Sequence, residues 1–210
     1  MSKKTIYLIR HGETDYNLKG VVQGSGIDAD LNETGRKQAE AFFEMYGALS
    51  FDAVYTSALK RTHQSVKGFI ESGIPHTILS GLNEISWGKK EGKVPNTEDD
   101  FFYRELMEQW RSGNTHIEAE GGESPDQVAS RQREALKTIL FPKNERLILV
   151  AMHGRAMRIL LSQLSKLPLS EMDSFEHRNL CLYKIEYCYH TDTFTILERN
   201  NVAHLDAIPV

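Results

Sequence analysis

The run Leu147-Ile148-Leu149-Val150-Ala151-Met152 contains no polar residue. A strand that is apolar at every position has to be covered on both faces, the condition of a central strand in a sheet flanked by helices. The rest of the chain obeys the same rule. Short apolar runs at Thr5–Ile9, Asp52–Thr56 and Thr77–Leu79 alternate with segments whose apolar residues recur at helical spacing, the pattern of an α/β fold with a largely parallel sheet. Asn32 is placed to cap a helix carrying Ala39, Phe42, Phe43, Tyr46 and Leu49. Ser57 is placed to cap one that buries Thr62, Val66, Phe69 and Ile70, and Ala156, Ile159, Leu160 and Leu164 continue the apolar run as a helix. Leu180–Tyr187 and Thr193–Glu198 flank a polar turn and are expected to form an antiparallel edge. The expected architecture is a three-layer sandwich with helices on both faces of the sheet.

The stretch Gly88–Gly122 has a different character. It opens with Lys89, Lys90 and Lys93, continues into a helical pattern from Phe101 to Trp110, and ends at Gly121-Gly122, after which Ser124-Pro125-Asp126-Gln127 forms a capping box. It reads either as an insertion folded over one end of the sheet or as a solvated surface excursion. The 210 residues are expected to make one domain, 1–210, that includes this insertion of about 88–122.

Charge and cysteine usage narrow the function classes. Lys and Arg number 25 against 29 Asp and Glu, a net charge of -4, which argues against general nucleic-acid binding. No apolar run approaches the ~20 residues of a membrane span. The apolar stretch Ile6–Ile9 meets Arg10 too soon for a signal peptide. Cys181 and Cys188 are seven apart on what reads as one strand, hence on opposite faces and not paired with each other. A reduced, cytoplasmic protein without nucleic-acid or membrane partners is the expectation.

Four polar clusters each follow a predicted strand: Arg10-His11-Gly12-Glu13-Thr14, Ser57 to Arg61, Asn83-Glu84, and His153-Gly154. In open α/β sheets ligands bind beyond the carboxyl ends of the strands, so clusters remote in sequence can meet in one pocket. Arg10 and Arg61 are fixed positive forks suited to a dianionic tetrahedral oxyanion. His11 and His153 supply a nucleophile or base and a further donor, and Glu84 a carboxyl for proton transfer. Neither a nucleophile elbow nor a phosphate-binding glycine loop is present. The set points to phosphoryl transfer in which guanidinium groups meet the charge that metal ions meet elsewhere.

Leu8-Ile9-Arg10-His11-Gly12-Glu13-Thr14, with Asn17, resembles the defining motif of the histidine phosphatase (phosphoglycerate mutase-like) superfamily. Similar stretches follow in order: Gln23-Gly24 with Asp30-Leu31, Thr34-Gly35 and Gln38-Ala39; Ser57 to Thr62; Leu82-Asn83-Glu84 with Gly88 and Glu91-Gly92; Gly122-Glu123-Ser124; and Met152-His153-Gly154 with Arg158. The resemblance implies His11 as the nucleophile that becomes phosphohistidine. It places Arg10, Arg61 and His153 on the transferring phosphoryl group and makes Glu84 the general acid. Asn17, Gln23, Gly24 and Gly154 would add contacts to the substrate, with neither metal nor cofactor. Glu123-Ser124 reads as helix capping rather than as a substrate contact. Arg155 stands where many relatives carry a small residue, so it either touches substrate or faces solvent. The mutases carry Arg-His-Tyr-Gly after the catalytic Glu, whereas Ile85-Ser86-Trp87-Gly88 stands here. That loss of a basic residue points toward hydrolysis of a small phosphate ester. Phosphoglycerate mutase activity, or non-catalytic binding of a phosphorylated ligand, are the alternatives.

Overall fold

The computed structural model describes residues 2–94 and 97–206, with the backbone alone for 97–100. Along the chain run β1 (Lys3–Arg10), α1 (Asp15–Leu18), α2 (Glu33–Tyr46), β2 (Ala53–Thr56), α3 (Lys60–Ser65), α4 (Lys67–Glu71), β3 (His76–Ile78), α5 (Thr97–Arg111), α6 (Pro125–Leu140), β4 (Leu147–Met152), α7 (Gly154–Leu164), β5 (Leu182–Cys188) and β6 (Thr193–Asn201). The six strands form one sheet in the order β3-β2-β4-β1-β5-β6. The first four are parallel, and β5 and β6 add the antiparallel edge.

The fully apolar β4 lies inside the sheet, and its side chains divide between two cores. Ile148, Val150 and Met152 pack with Ile6 and Leu8 against the face covered by α6 and α7. Leu149 and Ala151 pack with Tyr7, Ile9 and Val54 against Phe42 of α2 and Phe69 of α4. Every position has to be apolar because both faces are dry. Helix α7 carries this further, burying nine of its residues, Arg155 among them.

Register decides what meets at the carboxyl edge. Arg10 pairs with Met152 across β1 and β4, and Thr56 with Ala151 across β2 and β4. The chain therefore leaves three neighbouring strands within one residue of the same level. The His11 amide still donates to the Met152 carbonyl (3.0 Å) and the Ser57 amide to that of Ala151 (3.3 Å).

Some local expectations need correction. Asn32 caps α2 through the Gly35 amide, but Leu49 lies beyond the helix end. Ser57 does not cap α3: its hydroxyl accepts from the amide of Leu59 (3.1 Å), after which α3 begins with no side-chain cap, and the expected single helix breaks at Val66 into α3 and α4. The Ser57 hydroxyl is committed elsewhere, as described below. Thr14 and Asn17 form a capping box around the short α1, a turn the periodicity did not announce. Cys181 precedes β5 rather than lying within it, and both cysteines are free.

The Gly88–Gly122 segment folds over the carboxyl edge of the sheet, not out into solvent. Trp110 and Met107 of α5 are buried in the main core, Trp87 stacks near Trp110 at 5.8 Å between centroids, and the Trp110 indole donates to the Ile117 carbonyl (2.8 Å). Among the described residues no helix is long and apolar enough to cross a membrane.

Candidate active site

All four strand-end clusters converge. The His11 and His153 rings lie 5.2 Å apart, tilted by 55°, and both are buried with Arg61 and Glu84. His11 Nδ1 is 2.6 Å from the Gly12 carbonyl. A carbonyl only accepts, so Nδ1 carries the proton and Nε2 keeps its lone pair. Burial foremost, then the Arg61 and Arg10 charges, hold the His11 imidazole well below the usual histidine range. It is a neutral ring at neutral pH.

His153 has the opposite tautomer. Its Nδ1 accepts from Arg61 Nε (3.1 Å), which leaves Nε2–H to donate to Ser57 Oγ (2.7 Å). Ser57 Oγ lies 3.0 Å from Thr62 Oγ1, which donates to the Leu59 carbonyl (2.8 Å). This hydroxyl relay is the physical use of Ser57. Burial first, then Arg61 and His11, keep His153 neutral as well.

The two arginines are fixed from behind. Arg61 donates to the carbonyls of Ile27 (2.6 Å) and Gly24 (3.2 Å), and burial lowers its guanidinium to about 10, still charged at pH 7. Arg10 donates to His177 Nδ1 (3.2 Å), while its buried Nε has no partner among the described residues. An unpaired buried donor is costly unless a ligand takes it, and the same holds for Gln23 Nε2. Gln23 Oε1 accepts from Thr14 Oγ1 (2.9 Å). Asn17 accepts with its carboxamide oxygen from the Thr14 amide (3.2 Å) and from Asn179 Nδ2 (3.1 Å).

Glu84 sits where the loop after β3 meets the first turn of α7. One carboxylate oxygen accepts from the amides of Ile85 (2.9 Å) and Ala156 (2.8 Å), the other from that of Arg155 (3.1 Å). It therefore serves the helix N-terminus as well as facing the cluster. Gly154 opens α7 tightly against the imidazole of His177: a Cβ there would stand 2.7 Å from His177 Cε1.

Four side chains at or behind the cluster were invisible to motif reading. His177 holds Arg10, and burial, then Arg10 itself, lower its imidazole to about 3. Asn179 ties the His11 carbonyl (3.0 Å) to Asn17. Ser65 receives the Gly12 amide (2.8 Å). Arg131 of α6 donates to the carbonyls of Gly81, Asn83 and Glu84. Only the fold brings them in, and no local pattern marks them.

Two expectations change. Arg155 neither faces solvent nor stands free for substrate: its guanidinium is buried, pairs with Asp173, meets the Tyr103 hydroxyl (3.3 Å) and lies over Trp110. Glu123 does not cap α6, whose capping box is Ser124 with Gln127. Glu123 braces the Glu84 loop instead, accepting from the Ser86 amide (2.9 Å) and pairing with Arg131 (2.8 Å). Lys89 is engaged by Glu120.

The profile of the histidine phosphatase superfamily (branch 1) matches residues 6–202. The chain is 29% identical over 210 residues to the probable phosphoglycerate mutase GpmB of Salmonella choleraesuis (strain SC-B67), covering 96% of this chain and 95% of that one. The structure of a mycobacterial glucosyl-3-phosphoglycerate phosphatase with VO3 superimposes with a TM-score of 0.81 at 25% identity, over 94% of this chain and 98% of that one. The α-ribazole phosphatase of Shigella flexneri shares the fold with a TM-score of 0.81 at 24% identity, over 95% and 97%.

Proposed function

We propose, from the premise that the chain belongs to the histidine phosphatase superfamily, that it is a metal-independent phosphomonoesterase working through a phosphohistidine at His11. Arg10, Arg61 and His153 hold the oxygens of the phosphoryl group, which neutralises charge and exposes phosphorus to attack. The unpartnered Arg10 Nε and Gln23 Nε2, the Asn17 amide nitrogen and the backbone at Gly24 and Gly154 supply further donors. When the dianion enters, His153 gives up its contact with Arg61 Nε, takes a proton from solvent at Nδ1, and donates from there to a phosphoryl oxygen.

His11 Nε2 attacks phosphorus in line as the bond to the ester oxygen breaks, and Glu84 delivers its proton to the leaving alkoxide. A water then returns a proton to the Glu84 carboxylate and attacks the phosphohistidine. The P–N bond breaks, inorganic phosphate leaves, and Nε2 recovers its lone pair.

The observation that carries this reading is the His11 hydrogen bond to Gly12 O. It commits Nδ1 and leaves a neutral Nε2 lone pair between two guanidinium groups. The test is rapid quenching with a phosphorus-labelled ester. A phosphoramidate survives alkali and is lost in acid, so label should stay on the protein only after alkaline quench. His11→Ala should abolish the trapped label and lower turnover by about 10⁴-fold or more; normal turnover in that variant rejects the mechanism.

Mutase chemistry is the second reading, because the relative at 29% identity carries that name. A mutase has to hold a second anionic group beside the phosphate. Here Ile85 and Ser86 follow Glu84 where the mutases carry Arg and His, and Arg155 is spent on Asp173. Release of phosphate from an ester without a bisphosphorylated activator supports the phosphatase. Isomerisation of phosphoglycerate without release supports the mutase.

A further inference from the structure

A cavity of about 800 Å³ lies between α5 and the loop that follows α1. Val22, Gln23, Trp87, Phe102, Leu106 and Ile117 make up much of its wall. We infer that this cavity receives the alcohol half of the substrate, and that this alcohol is a bulky apolar group, aryl or long-chain alkyl, without a second anionic group. The inference rests on the phosphomonoesterase reading and names its substrate class.

Position comes first. Gln23 is shared between cavity and cradle, since its side chain lines the one and accepts from Thr14, three residues after His11, in the other. Tyr103, also on the wall, touches Arg155, whose amide donates to Glu84. Trp87 belongs to the same loop as Glu84. His11, Arg10 and Arg61 are not on the wall, so the cavity is the chamber beside the phosphate and not the phosphate site itself.

Size and polarity follow. A volume of this order suits a drug-sized molecule, and a three-carbon acid would leave most of it as water. Phe102 and Tyr103 of α5 are 54% and 42% exposed, and Leu18 and Val94, next to wall segments, are each 68% exposed. Large apolar side chains gathered around one cavity gain free energy only when something apolar covers them.

Charge excludes the alternative. Two lysines on the wall, Lys90 and Lys93, face three carboxylates, Glu105, Glu118 and Glu120. Lys90 also stands 5.2 Å from the Phe102 ring centroid. Lys89 adds a third ammonium group by pairing with Glu120, so the charges here balance and leave no positive surplus to select a substrate bearing a further carboxylate or phosphate.

The experiment is a series of ethyl, butyl and octyl phosphate, whose leaving alcohols have nearly equal basicity, run beside 3-phosphoglycerate and p-nitrophenyl phosphate. Each added methylene that enters the cavity should raise kcat/KM roughly fourfold, so octyl phosphate, six methylenes longer, should exceed ethyl phosphate by on the order of 10³-fold. Phe102→Ser, at an exposed position that does not threaten folding, and Leu106→Glu should both collapse the octyl-to-ethyl ratio. A flat series, a preference for 3-phosphoglycerate over octyl phosphate, or a high ratio unmoved by either variant overturns the inference while leaving the phosphomonoesterase intact. Absence of phosphate release from every ester, p-nitrophenyl phosphate included, rejects the phosphomonoesterase and the inference with it.

Discussion

The phosphate cradle and the segment that covers it are built by opposite means. In the cradle, strand register puts His11 and His153 side by side, and backbone groups fix much of the rest: Gly12 O holds His11, Gly24 O and Ile27 O hold Arg61, and three amides hold Glu84. The cover is tied to the core largely by side chains. Its central knot is Asp173, which receives Arg155 and Arg158 of α7 and Arg111 of α5 (3.3 Å). Main-chain geometry fixes the group every phosphate ester has in common. Side chains line the chamber beside it, where esters differ. A substitution in the first region should strike chemistry, and one in the second should strike stability and choice of substrate.

The largest break in that comparison is expected from Glu84→Gln. An alkoxide needs a proton as it leaves, so alkyl phosphates should lose about 10²–10⁴-fold in kcat, whereas p-nitrophenyl phosphate, whose phenolate leaves unaided, should lose much less. The amide also turns N–H groups toward amides that now meet a carboxylate, so a lowered melting temperature should accompany the loss. Equal kinetic losses on both substrates would leave Glu84 with the helix N-terminus alone.

Asp173→Asn attacks the cover. Three guanidinium groups lose their shared carboxylate, one of them buried, and breaking such a pair costs about 3 kcal/mol. Urea titration should show this as a lower midpoint, with KM rising more than kcat falls. A variant that loses kcat while keeping its stability would show that the knot belongs to the cradle.

His177→Ala sharpens the comparison from within, because His177 comes from the loop before β5 yet holds Arg10. A misaimed Arg10 should cost about 10–100-fold in kcat/KM. His177→Gln keeps an acceptor for the guanidinium and should recover much of the loss. A merely structural role would give equal losses in both variants.

The smallest effect is the pH dependence of stability. Burial first holds His11, His153 and His177 below their unfolded value near 6.5. Between the folded and unfolded values the unfolded chain binds more protons, so stability rises with pH there and is lost as pH falls below about 6.5. Each of the three should cost about 1 kcal/mol or less between pH 7.5 and pH 6, read as a falling melting temperature. Stability unchanged over that window would mean that the three rings bind protons alike in the folded and unfolded chain.

Local signals were legible where local physics governs. The run Leu147–Met152 announced a strand covered on both faces, and Ser124 with Gln127 announced the start of α6, because both depend on residues within a few positions. The strand-end clusters were legible for a related reason: each follows a strand, and a parallel sheet delivers all such ends to one edge. Ser57 was misread as a cap because its use depends on His153, 96 residues away. Arg155 was misread because Asp173 and two tryptophans reach it only in the folded chain.

Contiguous residues already carry the α/β alternation, the parallel sheet with its antiparallel edge, and the residue types brought to the carboxyl edge. Apolar periodicity and strand ends are properties of contiguous residues. Tertiary structure alone decided the protonation pattern and the partners: which nitrogen of His11 keeps its lone pair, which side chain holds Arg10, and whether Gly88–Gly122 covers the sheet or leaves it. Those outcomes depend on desolvation and on hydrogen bonds between segments as much as 167 positions apart. Neither exists until the chain has closed around them.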